Sequence, residues 1–224
     1  MLIFFLIFTL TFADSCVKNV SSPFVYQLSQ LRIKYPVITL AKDIIHKEDV
    51  EYLLNASVVF ERSGLLDSPH ADTRTSQTAY IQKNKDPIMD CIGKRIAAVI
   101  HHPFGNMEGF QLTKYTKGQH YRPHFDWFKE GHDKKGQRTF TVFVYLKTAR
   151  CGGTTIFPKL GINISAPPGS GLIWANVDKN GKGEKLVLHG GEDVTCDDTK
   201  IGLNVWFRDT CWPYKHDCAQ YDEL

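Results

Sequence analysis

The chain has 224 residues, 42% of them apolar and 23% charged, which suits one domain with a sizeable core. Its net charge of +3 is small and dispersed, with no lysine- or arginine-rich run, and this argues against nucleic acid or another polyanion as partner. No internal repeat or low-complexity linker divides the sequence.

Residues 1–12 are an almost unbroken apolar run with small residues near Ala13, the pattern of a secretory signal peptide over residues 1–13, although no basic residue precedes the run. The run is too short to span a bilayer as a retained helix, and no other segment is apolar enough, so the mature chain is expected to have no membrane span. Residues 14–35 read as a polar, irregular extension, and residues 36–40 as a short strand. Asp43 then stands where it would cap a helix carrying Ile44, Ile45, Val50, Leu53 and Leu54. Residues 63–79, rich in Ser, Thr, Asp and Gly, read as an exposed, mobile loop. From Asp86, with Pro87 in the first turn, Ile88, Met89, Ile92, Ile96, Val99 and Ile100 recur at helical spacing, which predicts a second amphipathic helix to about His101. Both helices are expected to pack on a sheet.

Beyond Phe110 the pattern changes to short alternating or β-branched runs at residues 111–115, 120–127, 139–146, 154–157, 171–176, 185–189 and 202–207, separated by turns rich in Gly, Pro and Asp. Many short, evenly spaced strands after two helices predict an α+β fold, a double-stranded β-helix (jelly roll) with the N-terminal helices packed on its outside, over residues 36–209.

Within the second of these runs lies His124-Phe125-Asp126. On an extended strand His124 and Asp126 project to one side and Phe125 to the other, so an imidazole and a carboxylate face one point. A third ligand would complete a set of two histidines and one carboxylate, which suits non-haem Fe(II) and leaves coordination positions open. Among the nine histidines, His189 is the best placed to be that ligand, because it closes a strand and two glycines follow it, allowing close approach. Lys200 precedes the last strand, where its ammonium could reach back over the site and pair with an anionic acid whose other end chelates the metal.

Residues 210–224 form a cysteine-containing tail ending in Tyr221-Asp222-Glu223-Leu224, which differs only at its first position from the Lys/His-Asp-Glu-Leu retention address of the endoplasmic reticulum. With the signal peptide, it predicts a soluble protein of the endoplasmic reticulum lumen. In that oxidising compartment Cys16, Cys91, Cys151, Cys196, Cys211 and Cys218 can form up to three disulfides of undetermined connectivity, and Cys211 to Cys218 suggests a local loop. Sequons at Asn19, Asn55 and Asn163 permit N-glycosylation.

These pieces together carry a resemblance. Tyr115, Gly118-Gln119, Tyr121, Pro123-His124 and Asp126, then Arg138, Cys151-Gly152-Gly153-Thr154-Thr155-Ile156-Phe157-Pro158, Leu172-Ile173-Trp174, His189, Lys200 and Trp206 are similar, in order and separation, to the catalytic domain of prolyl 4-hydroxylases. The resemblance implies Fe(II) held by His124, Asp126 and His189. It implies 2-oxoglutarate as co-substrate, its distal carboxylate on Lys200, with Tyr115 and Thr155 as hydroxyl partners, and also O2 and ascorbate. Arg74, Ser76, Glu108, Tyr121, Arg138 and Trp206 match positions that line the family's peptide groove, which places Arg74 and Ser76 in a loop expected to close over substrate.

The implied reaction is hydroxylation of peptidyl proline to 4-hydroxyproline in collagen-like or other proline-rich polypeptides. Two other readings remain: a lysyl or other side-chain hydroxylase of the same chemistry, and a noncatalytic module binding proline-rich chains. Two departures from the family pattern stand out. It usually has a cysteine soon after the distal histidine, where this chain has Gly190-Gly191-Glu192 and a displaced Cys196, and the tryptophan that commonly follows the lysine is Ile201. No disulfide pairing is therefore carried over. Counterparts of the long N-terminal and peptide-binding domains of collagen-type catalytic subunits are also missing from the sequence, so protein disulfide isomerase, their partner, is named here as a candidate and not carried across.

Overall fold

A computed structural model of the chain describes residues 26–27, 38–63, 72–129 and 135–212. The expected signal peptide, most of the 14–35 extension, residues 64–71 of the expected loop, Asn19, Cys16, Cys218 and the retention-like ending lie outside the described residues. The chain runs through strands β1 (Tyr26–Gln27) and β2 (Ile38–Ala41), helix α1 (Lys47–Leu54), β3 (Glu61–Arg62), β4 (Gln77–Ile81) and helix α2 (Pro87–Val99). It continues through β5 (Phe110–Tyr115), β6 (Tyr121–His124), β7 (Arg138–Lys147), β8 (Thr155–Phe157), β9 (Ile162–Ile164), β10 (Gly171–Ala175), β11 (His189–Gly191) and β12 (Lys200–Arg208).

The strands form an eight-stranded sheet in the order β1-β2-β10-β7-β12-β5-β4-β3 and a four-stranded sheet in the order β6-β11-β8-β9, every pairing antiparallel. This is the expected double-stranded β-helix. Its central strands are buried on both faces, and side-chain alternation sorts their residues between two layers. Val142, Val144 and Leu146 of β7, Leu203, Val205 and Phe207 of β12 and Phe110 and Leu112 of β5 join one cluster with Val50 and Leu53 of α1 and Met89, Ile92 and Ile96 of α2. Phe143 and Tyr145 of β7, Leu172 and Trp174 of β10 and Phe157 of β8 form a second cluster on the other face. The helices thus cover the outside of the large sheet, and the inner layer is left for the site. Gly202 makes room in that layer, since a Cβ there would lie 2.2 Å from the Phe143 ring.

Three expectations are corrected. The first helix does not start after Asp43, which takes a left-handed φ of 53° in the connection. It starts after His46, whose backbone N–H donates to Asp49 Oδ2 at 2.9 Å. The 63–79 segment is not wholly an exposed loop, because Gln77–Ile81 is paired with β5 and Arg74, Ser76 and Thr78 are buried. The strand expected at 185–189 is displaced to His189–Gly191, and residues 186–187 form a turn instead. Within the expected irregular extension, Tyr26–Gln27 pairs with β2.

Candidate metal centre

His124 is the last residue of β6 and His189 the first of β11, and the two strands pair with these residues directly opposite one another. Their approach depends on Gly190, where a Cβ would lie 2.7 Å from Tyr121 O. The expected alternation through Phe125 does not hold, because β6 ends at His124 and a bend follows at Asp126 and Trp127. Phe125 therefore borders the same cavity as its neighbours, and the bend still turns the Asp126 carboxylate back toward the histidines. One ligand atom from each of His124, Asp126 and His189 lies within 4.8 Å of the others. Asp126 Oδ1 is 3.6 Å from His124 Nε2, and Oδ2 is 3.5 Å from His189 Nε2.

Both imidazoles have a fixed tautomer. Nδ1 of His189 donates to Val187 O at 2.9 Å and Nδ1 of His124 to Arg122 O at 3.0 Å; since a carbonyl only accepts, the proton is on Nδ1 and the Nε2 lone pair faces Asp126. Burial pushes the His189 imidazole down, to about 4, so it is neutral at physiological pH. Burial also opposes charge on Asp126, but positive charge in the site, from the two imidazoles when protonated and from the Arg138 guanidinium, holds its carboxyl well below the ordinary range, so it stays ionised. Two imidazoles and a carboxylate are the donor types that fit Fe(II).

The three line a cavity of about 670 Å³, within the usual size of a small-molecule site. Lys200, 2% exposed, lies in its wall. Its ammonium donates to Thr155 Oγ1 at 3.2 Å and lies 5.1 to 5.7 Å from the ring centres of Tyr115, Phe143 and Tyr145. No carboxylate pairs with it among the described residues, so this buried cation is suited to an anion entering the cavity. Burial pushes its pKa down to about 7, and the more distant charge of Glu192 opposes the shift. Tyr115 pairs with Lys200 across β5 and β12, and Tyr115 and Thr155 both line the cavity as expected.

Residues 110–208 match the 2OG-Fe(II) oxygenase superfamily. Prolyl 4-hydroxylase 5 of Arabidopsis thaliana is 33% identical over 169 residues, which cover 71% of this chain and 56% of that protein. Prolyl 4-hydroxylase subunit alpha-2 of Caenorhabditis elegans is 26% identical over 227 residues, 93% of this chain and 41% of that protein. Among solved structures, the viral collagen prolyl hydroxylase vCPH of Paramecium Bursaria Chlorella virus-1, in its 2OG complex, superposes with a TM-score of 0.63 at 26% identity, over 77% of this chain and 96% of that one. The chain carries a prolyl 4-hydroxylase-like 2OG-Fe(II) oxygenase domain. It spans about half the length of the curated relatives named here, 41% and 56%.

In this oxygenase domain the residues expected in a peptide groove separate into two groups. Arg74, Tyr121, Arg138 and Trp206 line the cavity. The Arg74 guanidinium lies 4.5 Å from the Tyr121 ring centre and that of Arg138 lies 3.7 Å from Trp206, while Tyr121 stacks on His124 at 3.6 Å. Ser76 and Glu108 do not line it; they stand behind the arginines. Ser76 Oγ accepts from Arg74 Nε at 3.1 Å, and Glu108 accepts from Arg138 Nε and Nη2 at 2.7 and 2.9 Å and from Arg208 Nε at 2.7 Å. Their short polar contacts hold the arginines rather than a ligand.

Sequence reasoning missed Gln111, Asn204, Tyr80 and Trp127 of the cavity wall, and Thr141 and Asn176 behind it; it named Trp174, also in the wall, without giving it a role. The signal that points to Gln111 and Asn204 is a polar residue between two apolar ones that face the helices, Phe110 and Leu112 on β5 and Leu203 and Val205 on β12. The oxygenase domain also has a disulfide between Cys151 and Cys196, bridging the loop before Thr155 to the loop before Lys200.

Proposed function

We propose that this domain hydroxylates peptidyl proline to 4-hydroxyproline in collagen-like or other proline-rich chains, using Fe(II), 2-oxoglutarate and O2. The observation that carries the reading is the convergence of His124, Asp126 and His189 in one cavity with a buried, carboxylate-free Lys200. His124, Asp126 and His189 would hold Fe(II), and Lys200, with Thr155 and Tyr115, would hold the distal carboxylate of 2-oxoglutarate. When bound, the metal and the oxo acid supply oxidative decarboxylation: O2 gives one oxygen atom to the substrate C–H bond as a hydroxyl and the other to succinate, and CO2 leaves.

The chain's own residues bind, orient and exclude water. The Nδ1–H bonds of His124 and His189 keep each Nε2 lone pair aimed inward. Tyr115, Phe143 and Tyr145 wall the lysine from solvent, which strengthens its attraction for a carboxylate. Toward the mouth, Tyr80, 70% exposed, joins Tyr121, Trp127 and Trp206 in the wall of the same cavity. Aromatic walls of this kind suit a polyproline II segment, which loses little further backbone entropy on binding. Arg74 and Arg138 add donors for its carbonyls. Ascorbate would return iron oxidised in uncoupled cycles to the ferrous state.

An endoplasmic reticulum lumen location, from residues 1–13 and the ending Tyr221-Asp222-Glu223-Leu224, belongs to the same proposal. Protein disulfide isomerase is the partner to seek there by co-purification. The deciding experiment incubates purified protein with collagen-like and other proline-rich peptides, Fe(II), 2-oxoglutarate and ascorbate, and reads succinate and peptide mass. The proposal expects one added oxygen on proline C4 per succinate. Oxygen on lysine would give the lysyl reading instead, and peptide binding with no succinate the noncatalytic one.

A further inference from the structure

Asp126 follows the end of β6, on a bend where no strand pairing fixes its backbone. Its side chain is held from the opposite wall. Thr141 on β7 donates from Oγ1 to Asp126 Oδ2 at 2.8 Å, and Asn176, just after β10, donates from Nδ2 to Thr141 Oγ1 at 2.8 Å. Thr141 and Asn176 are both 0% exposed. The direction of this relay is chemically fixed: a carboxylate only accepts, a hydroxyl has one hydrogen, and with that hydrogen spent on Asp126 the oxygen must accept from an amide N–H.

Asn176 is itself anchored through its backbone, whose N–H donates to Thr139 O at 2.7 Å and whose carbonyl accepts from Glu184 N at 2.9 Å. Among the described residues its Oδ1 has no hydrogen-bond partner, while the amide N–H stays on Thr141. Two fully buried polar side chains are thus committed to one oxygen of Asp126.

We propose that Thr141, oriented by Asn176, is a positioning residue for Asp126: its hydrogen bond occupies Oδ2 and leaves Oδ1 as the oxygen offered to the metal. The inference rests on the metal reading above and deepens it. A carboxylate that bound through both oxygens would use a coordination position that the two oxygens of an oxo acid and O2 require. Held at Oδ2 by a neutral donor, Asp126 gives one ligand atom and keeps its charge. The Thr141 hydroxyl is the group that decides this, and the β7 backbone sets where it sits.

The test is Co(II) binding to the metal-free protein, without O2 or 2-oxoglutarate, read as a dissociation constant by competition with a chelating indicator and as the visible Co(II) spectrum. Wild-type protein should bind one Co(II), and His189→Ala should lose it. Thr141→Val, nearly isosteric, should bind about tenfold to a hundredfold more weakly and show altered Co(II) bands. Thr141→Ser, which restores the hydroxyl but not the methyl, should return constant and spectrum close to wild type. Equal binding and identical bands in wild type and Thr141→Val would overturn the inference while leaving the metal reading intact. Equal losses in the Val and Ser variants would also overturn it, since packing alone would then account for them. A wild-type protein that takes up no Co(II), or takes it up equally with His189→Ala, overturns the metal reading and the inference with it.

Discussion

Among the described residues Lys200 has only Thr155 as a hydrogen-bond acceptor, with aromatic rings around its ammonium, and burial moves its pKa down to about 7 from 10.5. The unfolded chain binds more protons than the folded one between those values, so this residue makes stability rise with pH across that window. Co-substrate binding runs the other way. A carboxylate favours the charged lysine, so the affinity for 2-oxoglutarate should fall as pH rises above about 7, by at most about tenfold per unit. Tyr115 and Tyr145 beside it are raised above their ordinary values and stay neutral there. Titration calorimetry of 2-oxoglutarate into the metal-loaded protein reads the profile. Lys200→Arg, which stays charged, should flatten it at lower affinity, and a flat wild-type profile would place the anion elsewhere. The residues that carry this chemistry were legible in the sequence from His124 and Asp126 two apart, from His189 before two glycines and from Lys200 before the last strand, although His189 opens a strand where it was expected to close one. Thr141 was not, because threonine in a β-branched run reads as an ordinary strand former until its neighbour across the cavity is known.

Among the elements, α2 and the central strands follow their apolar periodicity closely, Pro87 and the Asp86 cap marking the helix start. By contrast β4 was hidden, since Gln77-Thr78-Ala79-Tyr80-Ile81 is polar enough to pass for loop and becomes a strand by pairing with β5. Helices α1 and α2 are joined by an ion pair between Asp49 and Arg95, both nearly buried. Asp49→Ala removes both the carboxylate facing that guanidinium and the acceptor of the His46 N–H, so it should destabilise the fold and lower Tm by several degrees. A melting curve within a degree or two of wild type would show that the pair contributes nothing. At the other end of the fold, Cys151–Cys196 ties two loops that each lead, four residues on, to a cavity residue, Thr155 and Lys200. Replacing both cysteines with serine should raise the 2-oxoglutarate concentration needed for half-maximal turnover and leave the peptide requirement nearly unchanged. A loss confined to the peptide would assign the bridge to the groove instead.

For the molecule as a whole, three layers explain where the site lies. Helices cover one face of the large sheet, the small sheet covers part of the other, and the uncovered space between the sheets is the cavity. The succession of two helices and then short strands was enough to read that architecture, because each layer answers to its own periodicity. What the pattern could not give was the packing of Ser76 and Glu108 behind their arginines, which depends on contacts between distant strands. The most direct test of the account is anaerobic equilibrium dialysis of Fe(II) against wild-type protein, His124→Ala and His189→Ala. Wild type should hold one Fe(II) per chain, and each variant, though folded, should hold none at the same free metal concentration. Uptake by His189→Ala equal to wild type would contradict it.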